Sequence, residues 1–190
     1  MIRKILPGLI CAVVLCGILV AGLVPFHRPR NAVTWIEKKN GLRFKGYATI
    51  WSSGAFQTLA AQDEPSCSLE IWLQPGSTSA STTILAFSTL ENPLQFVVHQ
   101  YREILIPKRQ VQDKQARTQT IGIDGVFRQI KPVFVSITSG AQKTSMYVNG
   151  TLAKSFPEVR LGKDCTGQLV LGTSPVGNER RSCQLLGLAI

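Results

Sequence analysis

Residues Val133 to Phe156, VFVSITSGAQKTSMYVNGTLAKSF, constrain the fold of this chain more than any other stretch. Val133, Val135 and Ile137 alternate with Phe134, Ser136 and Thr138, the period-two pattern of a strand with two unlike faces. Ser139-Gly140-Ala141-Gln142 breaks the run, and a second run, Ser145 to Val148, ends on Asn149-Gly150. Asn-Gly between extended runs predicts a type I′ hairpin turn, because both central residues need positive φ. The stretch therefore predicts three consecutive antiparallel strands.

The rest of the body carries the same signals. Gly41 to Lys45, Ala48 to Ser52, Cys67 to Gln74, Thr83 to Phe87, Leu94 to Tyr101, Glu103 to Arg109, Gln119 to Ile123, Pro132 to Thr138, Ser145 to Val148, Thr151 to Phe156, Gln168 to Leu171 and Cys183 to Ile190 all read as extended. Arg102 makes a tight link between the fifth and sixth of these, a further hairpin. No dozen-residue stretch of the body repeats near 3.6, so no helix is expected there. About 160 residues after the N-terminal segment suit one domain. So many short strands separated by turn residues predict an all-β, antiparallel two-sheet sandwich or jelly roll.

The N-terminus is a different object. Arg3 and Lys4 precede an uncharged, mostly apolar run from Ile5 to Phe26, after which His27, Arg28 and Arg30 restore polarity. Its length matches the roughly 20 residues of a membrane-spanning helix. A signal peptide has a shorter apolar region of about 7 to 15 residues, and Val20-Ala21-Gly22 would be its cleavage site. The length favours a retained anchor. The expected division is an anchor over 1–30, a linker over 31–40 and the β domain over 41–190. Basic residues flank the span on both sides, so charge barely orients it. Cys11 and Cys16 fall within the span, and Cys67, Cys165 and Cys183 in the body. Cys165 and Cys183 flank the Gln168 strand and could be bridged across a hairpin, Cys67 could compete for Cys183, and three buried free thiols are an equal alternative. A β domain behind such a segment is expected outside the cytoplasm, on a single-pass membrane protein.

Four pieces together resemble a laminin-G-like, concanavalin A-like domain of the bacterial kind: Gly41-Leu-Arg-Phe-Lys-Gly46, Ser68-Leu-Glu-Ile-Trp-Leu-Gln-Pro75, the Phe134 to Val148 meander, and Gln168-Leu-Val-Leu-Gly172 followed by Leu186-Gly-Leu-Ala-Ile190. They cover nearly all of the chain after residue 40. The entry through Pro25-Phe26-His27 and Asn31-Ala-Val-Thr-Trp35 is similar to proteins in which this domain is fused to a VanZ-like membrane domain. In those domains the last strand runs on through a Tyr, so the expectation is either a tethered single domain or a shortened member of the fusion. The resemblance implies a carbohydrate or protein-binding module more often than an enzyme. It also makes Ca²⁺ in a rim loop conceivable. Asp63-Glu64 is the only adjacent pair among the loop acids, Asp113, Asp124 and Asp164 being scattered, so no cofactor is expected and Asp63 and Glu64 are the metal candidates.

The residues themselves exclude several classes. A glycosidase needs two carboxylates facing one bond, which on a strand means acids at i and i+2 or i+4. Glu70 has Trp72 and Gln74 at those positions, and reads as part of the fold. No Gly-x-Ser-x-Gly occurs, and His27 and His99 lie far apart. No cysteine–histidine spacing fits zinc. Of the net charge of +10, Arg3, Lys4, Arg28 and Arg30 supply +4, and 17 basic against 11 acidic residues after position 30 supply +6. The basic clusters are Lys38, Lys39, Arg43 and Lys45, and Lys108, Arg109, Lys114, Arg117, Arg128 and Lys131. Such a surface attracts anionic polymers or headgroups. No aromatic-interleaved basic motif points to nucleic acid. Asn149-Gly150-Thr151 matches a glycosylation acceptor but is already required by the turn. The expectation is a non-catalytic, membrane-tethered module recognising carbohydrate or a cell-envelope glycopolymer at rim loops or a concave face. The alternative is a structural or protein-interaction module beside a membrane partner. Exposure of Trp35, Trp51 and Trp72 near amides favours the first, and their burial the second.

Overall fold

The structure is a computed structural model, and it describes residues 2–23, 31–37, 40–57, 66–111, 117–157, 159–177, 179 and 181–190. The chain separates into two units, 1–30 and 31–190.

The first unit holds helix α1, Ile2–Leu23. Its described side chains, residues 10–22, are exposed, with Ile10, Val13, Val14, Leu15, Ile18, Leu19 and Val20 all apolar. Among the described residues, no helix is long and apolar enough to cross a membrane.

The second unit is a sandwich of two antiparallel sheets. One sheet contains β1 (Val33–Trp35), β2 (Leu42–Gly46), β4 (Cys67–Pro75), β9 (Val133–Ser139), β10 (Thr144–Val148), β11 (Thr151–Phe156) and β13 (Arg181–Ala189), in the order β1-β2-β13-β4-β9-β10-β11. The other contains β3 (Ile50–Phe56), β5 (Ser81–Ser88), β6 (Phe96–Tyr101), β7 (Ile104–Gln110), β8 (Thr118–Thr120) and β12 (Gly167–Leu171), in the order β3-β12-β5-β6-β7-β8. Each of the twelve expected strands is present, with ends shifted by a few residues. The stretch 31–40 was expected as a linker, yet it supplies β1, whose Val33, Thr34 and Trp35 pair with Phe44, Arg43 and Leu42. Three residues are too few to display an alternation, which is why the sequence did not announce this strand.

Alternation builds the core. On β4, Leu69, Ile71 and Leu73 are fully buried, while Ser68, Glu70 and Trp72 between them are exposed. Phe44, Phe87, Phe96, Leu85, Val98, Val135, Ile137 and Met146 join them between the sheets. The turns are as the residues demand. Asn149 and Gly150 have φ of 50 and 81, and the Asn149 Oδ1 also accepts a hydrogen bond from the Phe134 N–H at 3.0 Å. Arg102 takes φ 54 in the two-residue link between β6 and β7.

One disulfide clamps the sandwich, and it joins Cys67 to Cys165, 98 residues apart. The expected Cys165–Cys183 pairing is therefore corrected. Cys183 is buried in the core opposite Pro75, at the far end of β4 from Cys67. Eight residues of strand, about 27 Å, separate those two ends, well beyond the Cα separation of about 7 Å that a disulfide tolerates. Cys67 begins a strand of the larger sheet and Cys165 precedes β12 of the smaller one, so the bridge ties the two layers together.

Candidate binding face

The outward face of the seven-stranded sheet gathers the side chains best suited to hold a ligand. Because register is fixed across β2, β13, β4, β9 and β10, outward residues fall into cross-strand rows. The first row is Thr34, Arg43, Gln184 and Gln74. The second is Gly187, Trp72 and Phe134. The third is Ala189, Glu70, Ser136, Tyr147 and Leu152. Outward residues two apart on a strand are about 7 Å apart, and neighbouring strands about 4.8 Å.

Trp72 is the centre of this face, with 49% of its surface exposed. The bulge between Leu185 and Gly187 places a glycine directly opposite it on β13. Phe134, half-buried, flanks it on the other side. Among the described residues no hydrogen bond engages the side-chain amides of Gln74 or Gln184, and no carboxylate pairs with Arg43 or Lys45. Toward β10 the face continues into an open depression of about 450 Å³ lined by Thr138, Gly140, Ala141, Gln142, Lys143, Ser145 and Tyr147. An apolar ring flanked by unspent amides, a guanidinium and a carboxylate is equipped for stacking plus hydrogen bonding, the usual composition of a site that orients a small polar ligand.

The other expected residues are dispersed. Asp63, Glu64, Asp113 and His27 lie outside the described residues. Asp124 is exposed in the turn after β8. Asp164 is held by Arg109 at 3.3 Å, and burial pushes its carboxyl above the ordinary range against the opposing pull of that guanidinium. Among the described residues, no three His, Cys, Asp or Glu side chains cluster as a metal site. Trp35 and Trp51 are exposed, at 76% and 46%, on edge strands β1 and β3, so none of the three tryptophans is buried. His99 lies on the six-stranded sheet, with Ser81 Oγ 3.2 Å from Nε2 and Thr83 Oγ1 3.4 Å from Nδ1. Glu179 accepts hydrogen bonds from the Thr83 N–H and hydroxyl, so among the described residues this acid meets Thr83 and not the imidazole. A serine–histidine–acid relay needs the acid on the imidazole itself.

Alternation in Ser68 to Gln74 already placed Glu70, Trp72 and Gln74 on one face. Phe134, Gln184 and Arg43 were missed as their neighbours. The only signal for Phe134 was its position between Val133 and Val135, and nothing local tied Gln184 to Arg43.

No family model and no curated protein sequence matches the chain. Solved structures with the same fold include the botulinum neurotoxin serotype D ligand-binding domain in complex with N-acetylneuraminic acid, at 16% identity and TM-score 0.59, covering 85% of this chain and 41% of that one. They also include the binding domain of botulinum neurotoxin DC in complex with rat synaptotagmin II, at 16% identity and TM-score 0.56, covering 85% and 42%. The botulinum neurotoxin serotype D binding domain matches at 18% identity and TM-score 0.59, covering 85% and 41%. The chain thus spans about two fifths of the length of these neurotoxin domains. Nothing among the similar proteins bears on a VanZ-like fusion. At such low identity the likeness is one of architecture: this chain shares the antiparallel two-sheet sandwich found in the neurotoxin binding domains.

Proposed function

We propose that the chain is a non-catalytic binding module that recognises carbohydrate on the outward face of its seven-stranded sheet. The observation that carries this reading is Trp72, half-exposed in the middle of that face beside the disengaged amides of Gln74 and Gln184. The exposed half of the indole offers an apolar surface on which a ring can stack. Pyranose rings offer an apolar C–H face for the indole and hydroxyls for the amides. That two domains of the same architecture were solved with N-acetylneuraminic acid and with synaptotagmin supports a binding role over a catalytic one. The reading takes no metal, so glycan binding is expected to survive EDTA unchanged.

The module is tethered to a membrane with the sandwich outside the cytoplasm. The uncharged run Ile5 to Phe26 supports this, as do the exposed apolar side chains of α1, which in water would be unfavourable on every face. The Cys67–Cys165 bridge supports an oxidising compartment. A protein ligand is the second reading. The edge of β11, which pairs with no further strand among the described residues and where Thr151 to Ser155 are all exposed, would accept an added strand.

A glycan array probed with the full chain in neutral detergent is the test. Binding that Trp72→Ala weakens by about 2 kcal/mol or more is expected of a central aromatic anchor. Uniformly negative arrays would sink the carbohydrate reading and leave the protein-ligand one.

A further inference from the structure

We propose that the glycan bound on this face is anionic, its acid group held by Arg43 and Lys45 while a neighbouring sugar ring lies on Trp72. The inference rests on the carbohydrate reading above and adds the chemical class of the ligand. Arg43 and Lys45 both point outward from β2, in register with Gln184 and Ser182 of β13. Neither has a carboxylate partner among the described residues, in contrast to Arg109, which is spent on Asp164, and Arg128, which lies 3.8 Å from Glu103. Two cations about 7 Å apart on one short strand repel each other, and an anion between them relieves that repulsion.

The spacing fits one chain of sugars. Arg43, Gln184 and Gln74 form a continuous row across β2, β13 and β4, a span of about 10 Å at the usual strand separation. Trp72 lies two residues from Gln74 on the same face, about 7 Å further on. A ligand stacked on the indole thus passes two amide side chains before its acid group reaches the guanidinium. Glu70 gives the face a direction. It lies on the side of Trp72 away from Gln74, two residues along β4, so an acid group is repelled there and drawn toward β2. The guanidinium's planar fork suits a carboxylate or a phosphate equally. The shared chemistry is an acid group on a pyranose chain, whether a uronic acid or a phosphosugar.

The test uses the full chain in neutral detergent with four probes: a β-linked oligouronate, its carboxyl-reduced counterpart, a phosphodiester-linked hexose polymer, and poly(glycerol phosphate), which has charge without a ring. The oligouronate or the phosphosugar is expected to bind about tenfold or more tighter than the carboxyl-reduced probe, as a charge-assisted contact implies, and the tighter of the two names the source. Raising the salt concentration should shrink that margin, and Arg43→Gln with Lys45→Gln should erase it. Glu70→Gln should widen the margin, and as an exposed change it checks that the surface tolerates substitution. Binding of both the oligouronate and the phosphosugar no tighter than the carboxyl-reduced probe would overturn the anionic preference while the carbohydrate reading stands. So would poly(glycerol phosphate) binding as tightly as the charged sugars. If no probe and no arrayed glycan binds, the carbohydrate reading itself falls.

Discussion

Leu73 and Trp72 are adjacent in the chain and meet opposite environments, because successive strand residues point to opposite faces. Leu73 is fully buried, and Leu73→Ala is expected to cost about 2–5 kcal/mol by lost transfer energy and a residual cavity. Trp72→Ala should cost less stability than Leu73→Ala, because about half of the indole already meets water, while weakening ligand binding. Chemical denaturation alongside a binding isotherm separates the two. Asp164 gives a pH signature. Its carboxyl is raised in the folded chain, chiefly by burial, so folding is relatively favoured when the group is protonated. That contribution is complete below the unfolded value of about 3.9 and is lost as pH rises through the higher folded value. Thermal melts of wild type and Asp164→Asn across the acid range should therefore show the asparagine variant gaining on wild type as pH rises. A difference constant with pH would remove this account of Asp164. At this scale much was legible: alternation alone put Glu70, Trp72 and Gln74 on one face. Arg43 and Gln184 were not, because their meeting depends on β13 lying between β2 and β4, and no local pattern encodes that.

Elements were legible in proportion to their local signals. The β9-β10-β11 meander and the β6-β7 hairpin follow from alternation and turn chemistry, and Gly150, at φ 81, confirms the turn. Gly150→Ala should cost about 1–2 kcal/mol, the penalty for an L-residue with a side chain in the left-handed region, read as a shift in denaturation midpoint. β1 has only three residues and no such signal. The disulfide failed as an expectation for a related reason: sequence proximity favoured Cys183, whereas register decides which sulfurs meet. Closing a loop of 98 residues should stabilise the fold by about 4.7 kcal/mol in the chain-entropy picture. Cys67→Ser with Cys165→Ser should lose most of that, while Cys183→Ser, which leaves the bridge intact, should not mimic it. A double variant as stable as wild type would contradict this role.

Across the whole molecule, the proposed membrane tether carries its own prediction. If α1 anchors the chain, the protein should remain in membrane pellets after alkaline carbonate extraction and lose that property when residues 2–23 are deleted. Release of the intact chain by carbonate would remove the tether from the proposal. The sandwich raises a question of timing. Its two most distant partners in sequence, β2 and β13, are hydrogen-bonded neighbours, with Gly46 opposite Arg181. The larger sheet cannot close until residues 181–189 have left the ribosome or translocation channel, so β2 must wait, unpaired on that side, for more than a hundred residues of synthesis. Folding that depends on such distant pairing is slow. The delay leaves the larger sheet open until late in synthesis, and the wall that holds Trp72 takes shape only after the last strand arrives.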